Sequence, residues 1–490
     1  ISLVAENGSN ILSMQYDKIQ QVSEDTVLSS YLAPQKEIKA PRMPEAIIYP
    51  FGLNQSQKLA VERALSSKIS IIQGPPGTGK TQTILNIIAN VVRSEKTVAV
   101  VSNNNSATHN VAEKLEKKKV AFLTAFLGNL TNKQKFLDAQ TGAYPDMNDW
   151  EMQPEERQQL EQETTALSEE LNEMLNAKNR IAEIEQEFLQ LTPEQHYFEE
   201  YYATYRDVPS ESLNKLSSQK ILALWMEFEQ HAEHETRLGL LQKLSIMFRF
   251  NRGALKLFLR SPELVIPYLQ NQFYFVKKQE LENEKDTLNR KLEHYSFDEK
   301  MDELVQKSLR LFRAELATRY PWKNERKRFE KSDFRRESAA FTNEYPVVLS
   351  TTYSIKGTLG IDHIYDYLIV DEASQVDLAT GVLAFSCARN IVIVGDLKQL
   401  PNVLTENDIR TRDAIWQKYS LDERYRFSNH SLLSSALEIW RDAPVTLLRE
   451  HYRCHPKIIN FCNQKFYHGQ LIVMTQDHNE PDVLAMRAMR

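Results

Sequence analysis

Gly74 to Thr81 reads GPPGTGKT, a glycine-rich octet closed by lysine and threonine. The spacing fits G-x-x-x-x-G-K-[ST]. Glycines let backbone N–H groups approach phosphate oxygens closely, and a helix opening at the loop adds partial positive charge. Lys80 is expected to reach the β- and γ-phosphates of a nucleotide, with the Thr81 hydroxyl on Mg²⁺. Gly74, Pro75, Pro76, Gly77, Thr78, Gly79 and Gln82 complete the cradle. A phosphate loop needs a second cation ligand. Asp371, in DYLIVDEASQ, stands at the end of an apolar run and suits that role. Glu372 beside it is placed to orient or deprotonate an attacking water. In IVIVGDLKQLP, Asp396 and Gln399 follow another apolar run. They would lie beside the γ-phosphate if that strand neighbours the Asp371 strand. Gln399 would then sense the phosphate. ATP and Mg²⁺ are the implied cofactors.

These residues need strands to carry them. Ile69–Ile72 and Val98–Val101 are short apolar runs of buried-strand type, and Thr83–Arg93 has helical spacing between them. Strand, helix and strand in close succession predict a parallel α/β sheet. The pattern stops near Leu130 and returns after Ala340 with PVVLS (346–350), YLIV (367–370), IVIV (391–394) and VTLL (445–448). Between them, Leu160, Leu167, Met174, Ile181 and Phe188 recur every seven residues, as do Leu281, Leu288 and Tyr295. That spacing predicts two long amphipathic helices, packed as an antiparallel coiled coil.

Taken in order, GPPGTGKT, DEASQ, GDLKQLP and HYRCHPKIINFCNQKFYHGQL resemble superfamily 1 helicases, and within them the branch of the eukaryotic nonsense-mediated-decay helicase, an AAA-type P-loop ATPase. The resemblance covers about 51–128 and 341–475. It implies RecA-like domains with ATP in a cleft and single-stranded DNA or RNA across the top. By match, Gln57 in LNQSQ contacts adenine, Tyr452 stacks on it, and Arg453 reaches the γ-phosphate. Ser102, Asn103 and Asn104, then Thr351 and Thr352, match backbone-gripping positions. The same residue types also favour ordinary helix caps. Cys454, His451, His455 and Cys462 fit no standard zinc-finger spacing.

The fold expected is therefore an α/β RecA-like P-loop NTPase sheet with a large helical, coiled-coil-like insertion. Residues 1–50 are expected to be an N-terminal extension, the tail of an accessory domain. Residues 51–128 and 341–440 would form the first RecA-like domain, 129–340 the inserted arm, and 441–490 the start of a second, incomplete domain. Further second-domain motifs are not found before Arg490, so a fragment is expected, and its own turnover stays open. The function expected is an ATP-dependent helicase or translocase. An ATPase switch that remodels nucleic-acid complexes, or a non-hydrolysing ATP-binding interaction module, are the alternatives.

Composition agrees with a soluble globular chain of 490 residues, 42% hydrophobic and 26% charged. The net charge of −6 excludes a histone-like polybasic binder, but its distribution is uneven. Residues 151–200 hold 14 acidic and 3 basic side chains, whereas 241–260 hold 5 basic and none acidic. That basic stretch carries Phe248, Phe250 and Phe258, a mix suited either to nucleic acid or to a solvated face. The acidic arm is a candidate docking surface for a protein. No run approaches ~18 apolar residues, which argues against a membrane partner. Three cysteines suit a reducing, cytoplasmic location.

Overall fold

The computed structural model describes residues 11–34, 41, 43–103, 105–203, 209, 213, 216–234, 240–250, 252–401 and 404–476. Two compact units are present. One comprises Ile1–Glu173 with Asp298–Arg490, the other Met174–Phe297.

The first unit is built on seven parallel strands: β1 (Ile69–Gln73), β2 (Val98–Ser102), β3 (Thr124–Phe126), β4 (Val347–Thr351), β5 (Tyr365–Val370), β6 (Ala388–Gly395) and β7 (Val445–Leu447). Their order across the sheet is β3-β4-β2-β5-β6-β1-β7. Strands covered on both faces read as unbroken apolar runs, because neither side needs polar residues. That is why VAVVS is buried at every position. The crossed-over order sets β6 between the phosphate-loop strand and the Asp371 strand, in register Gln73↔Gly395 and Val370↔Ile393. Two more short strands, β8 (Glu450–His451) and β9 (Ile472–Val473), pair separately and in parallel.

Two findings differ from the expected boundaries. Val445–Leu447, assigned from sequence to a second domain, is the edge strand of this sheet, pairing with β1 from Ile71↔Val445 to Gln73↔Leu447. Within 1–50, Val27, Leu28 and Tyr31 belong to the core beneath the sheet, together with Phe385 and Trp440. The Tyr31 ring lies 5.2 Å from Phe385 and 5.4 Å from Trp440, both edge-on, and its hydroxyl meets Ser435 Oγ at 2.6 Å.

Long helices fill the middle of the chain: Pro154–Tyr202, Pro262–Tyr295 and Phe297–Arg319. Within the first unit, Arg157 pairs with Glu315 at 3.3 Å and Glu163 with Lys307 at 2.8 Å, so these helix portions run antiparallel. The heptad residues Leu160 and Leu167 are buried, as are Leu304, Leu311 and Phe312. Within the second unit, Arg180–Glu284 and Glu187–Lys277, each at 2.8 Å, give the same antiparallel sense. Met174 is buried there, and Ile181, Phe188 and Leu288 are half-buried. A core of its own unites Ile221, Leu224, Phe228, Ile246, Phe250, Leu257, Val265 and Leu269. No described helix is long and apolar enough to cross a membrane.

Candidate active site

The phosphate loop leaves β1 and enters the helix Lys80–Arg93. Gly74 N–H donates to the Gly395 carbonyl at 3.1 Å, tying the loop to the end of β6. Thr78 Oγ1 donates to the Pro75 carbonyl at 2.8 Å and tightens the turn. Gly77 and Gly79 have φ of +96° and +85°. Side chains rarely adopt that backbone region. A Cβ at Gly79 would also stand 2.0 Å from Gln57 Nε2, and one at Gly77 would stand 2.6 Å from Arg453 Cβ. Thr81 and Gln82 fall in the first helical turn, half-buried, while Pro76 is exposed.

Lys80 is buried. Its Nζ donates to the Gly74 carbonyl at 3.0 Å and lies 3.8 Å from Glu372 Oε1. Asp371 directly follows β5 and accepts the Glu372 N–H at 2.9 Å. Burial, then the neighbouring Glu372 charge, push its carboxyl up to about 6, against the opposing pull of Lys80. Glu372 has φ +52°, in the left-handed region that non-glycine residues avoid. Its Oε2 is buried with no hydrogen-bond partner among the described residues. Asp396 follows β6 directly. Its Oδ1 accepts Lys398 N–H at 2.9 Å, and its Oδ2 accepts Gln399 Nε2 at 3.2 Å. Thus Lys80, Asp371, Glu372, Asp396 and Gln399 follow the ends of three adjacent strands, β1, β5 and β6. An unsatisfied buried carboxylate oxygen, a second carboxylate whose charge burial disfavours and a glycine cradle suit a phosphate and a divalent cation.

Gln57 and Tyr452 converge on Asn54. Asn54 opens the helix Gln55–Ser66 with a reciprocal cap: its Oδ1 accepts Gln57 N–H at 2.9 Å, and Gln57 Oε1 accepts Asn54 N–H at 3.1 Å. Gln57 Nε2 donates to the Thr78 carbonyl at 3.1 Å. The side chain expected to read adenine is thus engaged at both ends within the chain. Gln82 Nε2 donates to the Phe51 carbonyl at 2.6 Å. Tyr452 hydrogen-bonds Asn54, and its N–H donates to the Gly77 carbonyl at 3.0 Å. Arg453 is exposed, and its Cβ leaves no room for a side chain on Gly77.

Ser102 and Thr351 are directly paired neighbours on β2 and β4. Thr352 N–H donates to the Ser102 carbonyl at 3.2 Å. The buried hydroxyls of Ser102, Thr351 and Thr352 have no hydrogen-bond partner among the described residues. Buried hydroxyls are normally paired, so this strand-end cluster holds three unused donors. Asn103 is exposed and donates to the Gln375 carbonyl at 3.3 Å. Asn104 lies outside the described residues.

Three neighbours escaped the sequence reading. Glu450 is buried and accepts the Ser56 N–H at 3.2 Å, and its other oxygen meets Ser56 Oγ. Asn54 joins the two expected adenine contacts. Tyr467 donates to Asp396 Oδ2 at 2.7 Å. Asn54 has a local signal in its capping-box spacing to Gln57, whereas Glu450 and Tyr467 have none, since each is recognised only by a distant partner.

A family model described as an AAA domain matches residues 52–407, well over half of the chain. The chain belongs to that family. It is 32% identical over 126 residues to the ATP-dependent helicase upf1 of Schizosaccharomyces pombe, which covers 24% of this chain and 12% of that protein. It is 39% identical over 97 residues to a regulator of nonsense transcripts 1 homolog of Drosophila melanogaster, covering 19% and 8%. It is also 42% identical over 77 residues to the DNA-binding protein SMUBP-2 of Rattus norvegicus, covering 16% and 8%. The matched stretches thus span about a tenth of the length of these relatives. The superfamily 1 resemblance and the RecA-like sheet agree with the AAA match.

Proposed function

We propose that this chain carries the ATP-hydrolysing part of a helicase or translocase that moves on single-stranded nucleic acid. The observation that supports it most is the convergence of Lys80, the Asp371–Glu372 pair and Asp396–Gln399 on adjacent strand ends, with Arg453 against Gly77. The loop amides and Lys80 hold the phosphates. Lys80 has only to leave the Gly74 carbonyl to do so. Thr81 and Asp371 would hold Mg²⁺, which supplies neutralisation of phosphate charge. Glu372, with one carboxylate oxygen unused, orients the attacking water and takes its proton. Arg453 reaches the γ-phosphate when nucleotide is bound, stabilising charge as it is transferred. Gln399 reads whether the phosphate is present. The hydroxyls of Ser102, Thr351 and Thr352 grip the backbone of a DNA or RNA strand, as short donors to phosphate. The acidic arm takes a protein partner, and the chain works in the cytoplasm.

ATP turnover by the chain, with and without single-stranded DNA and RNA, tests this. Turnover should rise with one polymer and vanish in Lys80→Ala. Turnover unaffected by Lys80→Ala would refute the site. ATP binding with no turnover and no response to either polymer would favour an interaction module instead.

A further inference from the structure

Asp396 has a partner that the proposed chemistry does not use. Tyr467 donates its hydroxyl to Asp396 Oδ2 at 2.7 Å, the oxygen that also accepts Gln399 Nε2. Asp396 is 2% exposed. A buried carboxylate is held in place by its donors, and losing one leaves charge uncompensated. Burial and the carboxylate itself raise the pKa of the Tyr467 phenol, so it stays a donor.

Tyr467 sits on a braced piece of chain. It follows the helix Pro456–Phe466, and its N–H donates to the Asn463 carbonyl at 3.0 Å. Gly469, at φ +74°, reverses the backbone. The Asn463 side chain then holds both backbone groups of Leu471, at 3.0 and 2.9 Å. Ile472 N–H donates to the Arg449 carbonyl, and Met474 N–H to the His451 carbonyl, each at 2.9 Å. Residues 450–474 therefore form one tied segment. Its start touches the phosphate loop through Tyr452 N–H and Gly77, and its end touches Asp396 through Tyr467.

We propose that Tyr467 is a positioning residue. By sharing Asp396 Oδ2 with Gln399, it aims the Gln399 amide at the γ-phosphate and ties phosphate occupancy to segment 450–474. A phosphate that draws the Gln399 amide away leaves Tyr467 as the remaining donor on that oxygen. Its bond then tightens, and the turn at 467–473 is held harder. Loss of phosphate reverses this. The inference rests on the nucleotide reading given above.

The test uses the full chain, Tyr467→Phe, Gln399→Ala and the double variant. A non-hydrolysable ATP analogue with Mg²⁺ is the probe. Tyr467→Phe should lower the melting temperature by only a few degrees and leave the Kd for the analogue within about twofold, while kcat falls about tenfold, the scale of one hydrogen bond to a charge. The double variant should be no slower than the slower single variant, because both act through one oxygen. Amide hydrogen exchange over 467–473 should slow on adding the analogue in the unaltered chain, and not in Tyr467→Phe. Additive losses, a parallel fall of affinity and kcat, or unchanged exchange would each overturn the role. If the chain binds analogue without turning over ATP, the exchange measurement decides alone. If it binds none, the nucleotide reading fails, and this inference with it.

Discussion

Asp371 is the residue on which folding and the proposed cation chemistry pull in opposite directions. Its carboxyl is 5% exposed beside Glu372, with a pKa near 6 against 3.8 when free. The folded state therefore holds a proton over a pH range where the unfolded chain has lost it. Stability from this group is greatest below about pH 4 and falls as pH rises through about 6. At neutral pH the ionised carboxylate costs on the order of 3 kcal/mol. Asp371→Asn keeps an oxygen for the Glu372 N–H but removes the charge. It should melt higher than the natural chain at about pH 8, with the gain shrinking toward about pH 4. Mg²⁺ should raise the melting temperature of the natural chain more than that of the variant. A variant that melts lower at both pH values would mean the charge has a stabilising partner in the fold. The same logic explains why local motifs were legible. Phosphate and cation chemistry needs a few residue types close in sequence, so GPPGTGKT, DE and GDLKQ announce themselves. The Asp396–Tyr467 bond joins residues 71 apart and has no such signature.

At the scale of elements, legibility followed burial pattern. β1, β2, β4, β5 and β6 carry apolar runs because they are buried on both faces, and each was readable. β3 has only three residues, too few for any periodicity. β7 was readable as a strand, but its place at the sheet edge beside β1 depends on a crossover that a run of apolar residues does not encode. The helix Val27–Leu32 is six residues long, and its sequence gives no sign that Val27, Leu28 and Tyr31 close the core. Tyr31 makes that element a structural part of the sheet unit. It is surrounded by Phe385, Tyr425 and Trp440 and hydrogen-bonded to Ser435. Tyr31→Ala should cost about 3–5 kcal/mol in denaturant unfolding, as for other large buried aromatics. A loss below about 1 kcal/mol would make 11–34 a loosely attached extension.

At the scale of the molecule, the two units differ in what stabilises them. The sheet unit rests on a core running from Val27 to Trp440, and the unit Met174–Phe297 on a separate core with no residue in common among those described. Within the sheet unit, the antiparallel portions of Pro154–Tyr202 and Phe297–Arg319 are already packed through Leu160, Leu167, Leu304 and Phe312. Their exposed ion pairs, such as Glu163–Lys307 at 2.8 Å, add at most about 1 kcal/mol each. The pair should therefore survive as a helical hairpin when Met174–Phe297 is replaced by a short Gly/Ser-rich turn. The shortened chain should melt within a few degrees of the sheet unit's transition in the full chain and bind nucleotide within about twofold of it. A chain that failed to fold would show that the sheet draws stability from the second unit. Retained binding would instead identify that unit as a separately folding accessory, free to take a partner without disturbing the phosphate loop.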